Sequence, residues 1–412
     1  MIFDHRPAHP SRSDGHTRCS PDQIALDTAF AVAPTLAFFD KTNGTAYRRC
    51  AVYSPKAVVV NLKQLSQKLG LSQTTVSRAL GGYPEVKAAT RDRVHQAALA
   101  YNYKPSRRAT SLATGRSMAI GHVIPLSGNH EMVNPVFADF VAGASEVYAA
   151  AGYDMLVSVV SDTDELQTYR DLAGKGTVDG VIVHAPVPQD TRIKVLHDLG
   201  LPFVVHGRAE PQAIEYSYID INNYAAFTTA THMLLDLGHE RIGLLNGTKG
   251  VDYADQRERA YCETLAARGV AAAPDLITNN EMTEHAGYDG AMRLLSGANP
   301  PTAFLVSSVV MALGVHRALA ELGLRLGADV SVVCHDDDLS YIGNGGQTPL
   351  FTGTRSSVRA AGRRCAELLL DRIASPTAPH VQEVWDVTLH MGQSTGPAPR
   401  HTVAQMTSTH GV

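Results

Sequence analysis

The chain has 412 residues, 44% of them hydrophobic and 18% charged, with a formal net charge of −4. That length exceeds one ordinary core and asks for two or three domains; the composition excludes a disordered chain, and the charge excludes a uniformly basic nucleic-acid coat. No apolar run reaches the roughly 18 residues of a membrane span. Five cysteines (Cys19, Cys50, Cys262, Cys334 and Cys365) stand far apart with no CxxC or CxxH pair, which points to reduced, mostly buried thiols rather than a disulfide framework or a zinc site.

In chain order, residues 1–57 carry no sustained period and form a poorly defined extension. Their apolar stretch Thr28–Phe39 follows Asp27 with no abutting basic cluster, so it reads as a poor signal peptide and the expected compartment is the cytoplasm. A start near Val58-Val59-Val60 would suit the sequence equally well. Residues 58–105 predict three short helices. Leu62, Leu65 and Leu69 recur at helical spacing before Gly70 stops the first, Ser72 can cap the second, and Val76, Ala79 and Leu80 share a face of it. A turn cluster at 81–84 precedes a third helix over about 88–101, which groups Val94, Ala97, Ala98 and Tyr101.

Residues 106–116 are basic, nearly free of acids and too short to bury a core; they predict a hinge that gains helical turns only on a partner. From 117 to 392 short apolar strands alternate with amphipathic helices. The strands are expected at 119–124, 155–160, 180–184, 203–206, 242–246, 303–307 and 330–334, and the helices at 137–151, 222–237, 257–268, 310–322 and 358–373. Such alternation means parallel sheets with right-handed crossovers, and its length suits two similar lobes around a cleft. Residues 393–412, rich in Gly, Pro, Ser and Thr, are expected to fray.

Charge is unevenly spread: residues 58–116 hold ten Lys/Arg against two acids, and 117–412 hold 19 against 33. A basic block on an acidic body suggests a polyanion-binding module joined to something with another task. Helix, three-residue Gly-containing turn and helix make the helix-turn-helix arrangement. Its second helix carries Gln73, Thr74, Thr75, Ser77 and Arg78 off the packing face. Gln can bond adenine, Arg can bond guanine and a Thr methyl can touch thymine, while Ser72 and Ser77 suit phosphates. A small helical domain with a merely polar surface is the alternative. Leu112, the one large apolar side chain of the hinge, could wedge into a minor groove or sit in an inert linker.

These residues resemble the DNA-binding head and hinge of the lactose/galactose repressor family. The match runs through LSQTTVSRAL (71–80), YKP and LATGR (112–116), then IGHVIP (120–125), VDGVIVHAP (178–186), LGHERIGLLNG (237–247) and LGLRLGADVSVVCHDD (322–337). The resemblance implies a small all-α helix-turn-helix head joined by a hinge helix to a two-lobed α/β body like a periplasmic sugar-binding protein. It implies that Gln73, Thr74 and Arg78 read bases. Leu62, Thr75, Ser77, Asn102 and Tyr103 would support or touch the DNA backbone, and Ala109 and Leu112 would enter the minor groove. A homodimer, possibly a tetramer, on near-palindromic double-stranded operator DNA is implied as well.

The same resemblance implies a small-molecule effector, a sugar, between the lobes. Arg257 stands where the family places an Arg, although Ala260 replaces the usual Gly; a solvated helix-end Arg is the alternative. Phe137 would face the cleft or fill core. Asp336, after a strand, would gather ligand as strand ends do in open α/β sheets, or belong to a solvated acidic run. His184 and His206 end strands on the same logic, though a strand-end His is more often structural; His184 is counted with the site. Where the family has Asn-Asp after a strand, this chain has Ser307-Ser308, so the charged anchor is missing and Ser308 takes its place as the candidate. The strings PFVVHGR (202–208) and FTGTRSS (351–357) are similar to repressors of α-glucoside utilisation.

No nucleophile elbow, P-loop or dinucleotide fingerprint occurs in strand-to-helix context, and the acidic cluster Asp162, Asp164 and Glu165 reads as a helix start, so neither catalysis nor a cofactor or metal is expected. The sequence predicts a sugar-responsive transcriptional regulator, a repressor of carbohydrate utilisation. An exported sugar-binding protein and an activator or corepressor-dependent regulator are the rivals.

Overall fold

A computed structural model describes residues 38–39, 46–47, 60–103, 115–125 and 134–400. The hinge candidates Ala109 and Leu112 lie outside them. The chain separates into two compact units that part after residue 104. Before Val60, Phe38–Phe39 (β1) pairs antiparallel with Ala46–Tyr47 (β2).

The first unit holds Leu62–Leu69 (α1), Gln73–Leu80 (α2) and Ala88–Ala100 (α3). Asn61 starts α1 with a reciprocal cap: its Oδ1 accepts from Gln64 N, and Gln64 Oε1 accepts from Asn61 N, each at 2.9 Å. Gly70 ends it at φ +62°, a left-handed conformation that glycine takes without a Cβ clash. Ser72 then caps α2, its Oγ accepting from Thr75 N at 3.0 Å. Val60, Leu65, Leu69, Val76, Ala79, Val86, Val94 and Ala98 form the core, and each fully buried Leu or Val in it contributes about 1.5–3 kcal/mol. The tyrosine packed against that core is Tyr103. Tyr101, expected there, is exposed and lies under the Lys68 ammonium at 4.5 Å.

Among its described residues the second unit contains two sheets of six strands. The first is wholly parallel: Ala119–Pro125 (β3), Asp154–Val160 (β4), Gly180–His184 (β5), Phe203–His206 (β6), Ser217–Ile221 (β7) and Gln382–Trp385 (β13), in spatial order β13-β7-β6-β5-β3-β4. The second comprises Ile242–Asn246 (β8), Ile277–Asn279 (β9), Ala303–Val306 (β10), Ser331–Asp336 (β11), Thr352–Arg355 (β12) and Thr388–His390 (β14). Their order is β14-β12-β11-β10-β8-β9, with β14 alone antiparallel. The helices are Pro135–Ala150 (α4), Glu165–Gly174 (α5), Thr191–Asp198 (α6), Asn223–Asp236 (α7), Asp252–Ala267 (α8), Glu284–Leu295 (α9), Val309–Glu321 (α10) and Val358–Ala374 (α11).

The chain passes between the sheets three times: after β7, after β12 and after β13. Asn222 Nδ2 donates to Asp386 Oδ1 at 3.0 Å and ties two of these crossings together. Helix α11 follows a strand of the second sheet yet packs on the first, against α4. The two helices approach so closely that a Cβ on Gly143 would lie 2.0 Å from Arg359 O, and one on Gly362 would lie 2.1 Å from Phe140 O.

The sequence-predicted strands are all present within two residues. Strands β7, β9, β12, β13 and β14 and helices α6 and α9 were not anticipated. Helix α8 begins at Asp252, five residues before the expected start, which moves Arg257 from a helix end into its second turn. Residues 393–398, expected to fray, are pinned to the second sheet. Ser394 is buried, its carbonyl accepts from Val332 N and its Oγ accepts from Thr352 N, each at 2.8 Å. Ala398 N donates to Leu237 O at 2.9 Å.

Candidate functional site

On the first unit, Val76 and Ala79 turn α2 into the core, so the opposite surface of that helix faces outward. Gln73, Thr74, Ser77 and Arg78 are exposed there. Thr75 is half-buried, with Oγ1 2.8 Å from Ser72 Oγ, and Ser72 is committed to capping. Leu62 and Tyr103 are half-buried against the core and support the unit; burial raises the Tyr103 phenol and keeps it protonated. Asn102 is exposed at φ +47° and ends the unit in a left-handed turn. The face therefore offers an amide, hydroxyls and a guanidinium on one short helix, the groups that hydrogen-bond base edges.

In the second unit a cavity of about 200 Å³ opens at the carboxyl ends of the parallel strands, where ligands gather in open α/β sheets. The first sheet and its helices supply Phe137, Phe140, His184, His206, Arg208 and Asp220; the second supplies Tyr253, Arg257, Met282, His335 and Asp337; α11 adds Val358 and Ala361. One end is aromatic and apolar. His184 meets Phe137 and Phe140 edge-on at 5.1 and 4.9 Å, and His206 lies over Phe140 at 4.3 Å. Burial holds His206 near 4 and His184 well below its ordinary value, so both rings are neutral.

The other end is polar. Arg257 is sandwiched between the Phe227 and Tyr253 rings, 5.0 Å from each. Its Nε donates to Asn223 Oδ1 at 2.8 Å and its Nη1 to Ser307 O at 2.7 Å, which leaves Nη2 without a hydrogen bond among the described residues. Burial lowers its pKa, opposed by the charges of Asp337, Tyr253 and Asp220. Asp337 has a buried Oδ2 with no hydrogen-bond partner among the described residues. Burial pushes its carboxyl up to about 7 against the pull of Arg257. Asp220 is raised to about 7 by the same cause, opposed by Arg208, whose Nε stands 3.3 Å from Asp220 Oδ2 as an ion pair short of hydrogen-bond geometry. His335, neutral through burial, bonds Thr354 Oγ1 and Ser356 Oγ, each at 3.1 Å. Two carboxyls and a guanidinium over aromatic faces can grip hydroxyl groups and stack on C–H surface.

Of the residues expected in the cleft, Phe137, His184 and Arg257 line it and Ser308 and Asp336 do not. Ser308 is buried and caps α10, accepting from Met311 N at 3.2 Å. Asp336 turns away: its carboxylate accepts from Asp338 N at 2.9 Å and Asn344 Nδ2 at 3.1 Å. The next residue, Asp337, faces the cavity instead, because consecutive side chains at a strand end point to opposite sides. Asp220 and Asn223 were missed together with β7, and His206, read as structural, forms part of the wall. Among the described residues no group of three His, Cys, Asp or Glu is arranged to hold a metal ion, and no helix is long and apolar enough to cross a membrane. Cys262, Cys334 and Cys365 are free thiols.

Comparison with known proteins agrees with both halves. Residues 61–106 match the family model described as bacterial regulatory proteins, lacI family, and residues 231–395 match a periplasmic binding protein-like domain. The chain is 41% identical over 340 residues to the HTH-type transcriptional regulator AglR of Rhizobium meliloti (strain 1021), covering 82% of this chain and 95% of that protein. It is 31% identical to RafR of Escherichia coli, covering 81% and 98%. Among solved structures it is similar to a transcriptional regulator CelR–cellobiose complex (28% identity, TM-score 0.60, 81% of this chain and 99% of that one). It is also similar to the lac repressor dimer bound to operator and the anti-inducer ONPF (26%, TM-score 0.69, 82% and 99%). A helix-turn-helix unit with an outward-facing polar helix, a two-lobed α/β body with a cleft between its sheets and these similarities together mean that the chain belongs to the lacI family and is a DNA-binding transcriptional regulator.

Proposed function

We propose that this regulator is a cytoplasmic repressor of carbohydrate utilisation that binds a near-palindromic operator as a homodimer and releases it when a neutral disaccharide, an α-linked glucoside, fills the cleft. The observation that carries the sugar reading is that one cavity is lined by Asp337, whose Oδ2 has no hydrogen-bond partner among the described residues, and by Arg257, whose Nη2 has none there either, together with Phe and neutral His rings. A carboxylate that accepts and a guanidinium that donates suit adjacent hydroxyls, and the rings suit the C–H face of a pyranose. The cellobiose carried by a similar regulator supports a disaccharide, and the strings at 202–208 and 351–357 support the α-glucoside class. Gln73, Thr74 and Arg78 would read bases, with Ser77 and Asn102 on phosphates and Ala109 and Leu112 in the minor groove. The protein acts by binding and not by catalysis. A coupling of order 1–3 kcal/mol between cleft and operator, roughly 5–150-fold in affinity, is enough for regulation.

The test is a thermal-shift and operator-binding panel with maltose, trehalose and cellobiose. Arg257→Ala is expected to abolish the sugar-induced shift and the release of operator while operator binding itself persists. An unaltered sugar shift in that variant removes Arg257 from the site.

A further inference from the structure

The histidines of the cleft wall continue inward as a hydrogen-bonded chain. His122 on β3 is fully buried behind His184, with its Nδ1 3.0 Å from His184 Nε2. Tyr148 on α4, 1% exposed, places its Oη 3.3 Å from His122 Nε2. Burial holds His122 near 4, so it is neutral like His184, and keeps Tyr148 protonated. A neutral imidazole has one donor and one acceptor nitrogen, so only two proton arrangements satisfy both contacts. In the first, Tyr148 O–H donates to His122 Nε2, and His122 Nδ1–H donates to His184 Nε2. In the second, every bond runs the other way, and the Tyr148 proton has no acceptor among the described residues. A buried polar group left without its hydrogen bond is costly, and only the first arrangement avoids that.

We propose that Tyr148 and His122 are positioning residues that lock His184 as the Nδ1–H tautomer, so that this ring offers a hydrogen-bond donor to the cleft and selects a molecule that brings an oxygen acceptor to that spot. Nδ1 is the remaining polar atom of the ring, it has no partner among the described residues, and the side chain lines the cavity. The charge nearest His184 leaves the ring alone: Arg192 donates to the His184 backbone carbonyl at 3.1 Å and is held by Asp190 and Glu165. Phe137, Phe140 and His206 meet the ring through their faces and edges. The inference rests on the cleft being the effector site and narrows its ligand: a neutral polyol oxygen is accepted next to His184, and an ammonium group is refused.

The test uses the full-length protein carrying nitrogen-15 histidine and a long-range proton–nitrogen correlation at neutral pH without ligand, with His184 assigned from the signals lost in His184→Asn. The expected result is a protonated Nδ1 and an unprotonated Nε2 on both His122 and His184. In Tyr148→Phe, which keeps the ring and removes the hydroxyl, both tautomers should appear and maltose affinity should fall about 3- to 10-fold. A His184 protonated at Nε2 in the unaltered protein overturns the proposal, and so does an unchanged tautomer pattern in Tyr148→Phe. Should that variant fail to fold, the spectrum of the unaltered protein decides alone. Absence of binding to maltose, trehalose and cellobiose by the unaltered protein overturns the sugar reading and leaves the tautomer result standing.

Discussion

Asp337→Asn separates what the cleft costs the fold from what it does for a ligand. Asp337 keeps a buried oxygen without a hydrogen-bond partner among the described residues, and burial raises its carboxyl from 3.8 to about 7. The folded carboxyl therefore holds its proton more tightly than the unfolded one. The stability this contributes is complete below about pH 4 and is lost as pH rises to about 7. At 1.36 kcal/mol for each pH unit, the ionised group costs the ligand-free fold on the order of 4 kcal/mol above that range. Asparagine has the same shape and no charge to desolvate, and the pull of Arg257 is already contained in the raised value, but its amide adds buried N–H donors without a partner at about 1–3 kcal/mol. The expected net gain is on the order of 2 kcal/mol at about pH 8, a rise in Tm of roughly 4–8 °C, and it shrinks toward pH 5. Melting curves across that pH range, with and without maltose, read both effects. The variant should be more stable without sugar and gain less from it. A variant that melts in parallel with the unaltered protein at every pH would refute the reasoning, because no desolvated charge would then be present. Asp220, raised by the same cause, should leave a residual pH slope in the variant.

Two further changes test other parts of the molecule. Arg78→Ala, on the exposed face of α2, should cost operator binding about 1–3 kcal/mol and relax base preference at one position, as read by selection from randomised duplexes. Gly143→Ala would push a Cβ to 2.0 Å from Arg359 O between α4 and α11, and it should cost about 1–3 kcal/mol of stability in denaturant unfolding. Gly174→Ala, at an α5 position with open space, is the control that should leave stability unchanged or improved.

The strands legible in the sequence are the apolar ones: Val181–Val183 on β5 and Phe304–Val306 on β10 lie inside their sheets, where a strand covered on both faces must be apolar throughout, and Met155–Val160 of β4 is largely apolar although it lies at an edge. Those missed are short or polar: Thr352–Arg355 carries two threonines and a glycine, and Gln382–Trp385 lies at a sheet edge, where one side faces solvent. The three-helix unit was legible because stop, cap and core spacing agree at Gly70, Ser72 and Val76. The cleft was half legible. Arg257 and Phe137 could be placed by resemblance, whereas the choice between Asp336 and Asp337 depends on a one-residue register that composition does not reveal. The loss of the Asn-Asp pair at Ser307-Ser308 is explained by the fold itself: Ser308 caps α10, while Ser307 Oγ donates to Asn246 Oδ1 at 2.7 Å and its carbonyl holds Arg257. Asp337, directly after β11, brings a carboxyl to the cleft wall instead.

The account stands most directly on whether the cleft governs grip on duplex DNA. Binding of the full-length protein to a duplex selected from a random pool, titrated against heparin with and without maltose or trehalose, measures this in one experiment. The account predicts a near-palindromic site that resists heparin and is released 5-fold or more by one of the sugars, a coupling of about 1 kcal/mol. Equal displacement by heparin from selected and unselected duplexes, or selective binding that none of the sugars changes, would contradict it.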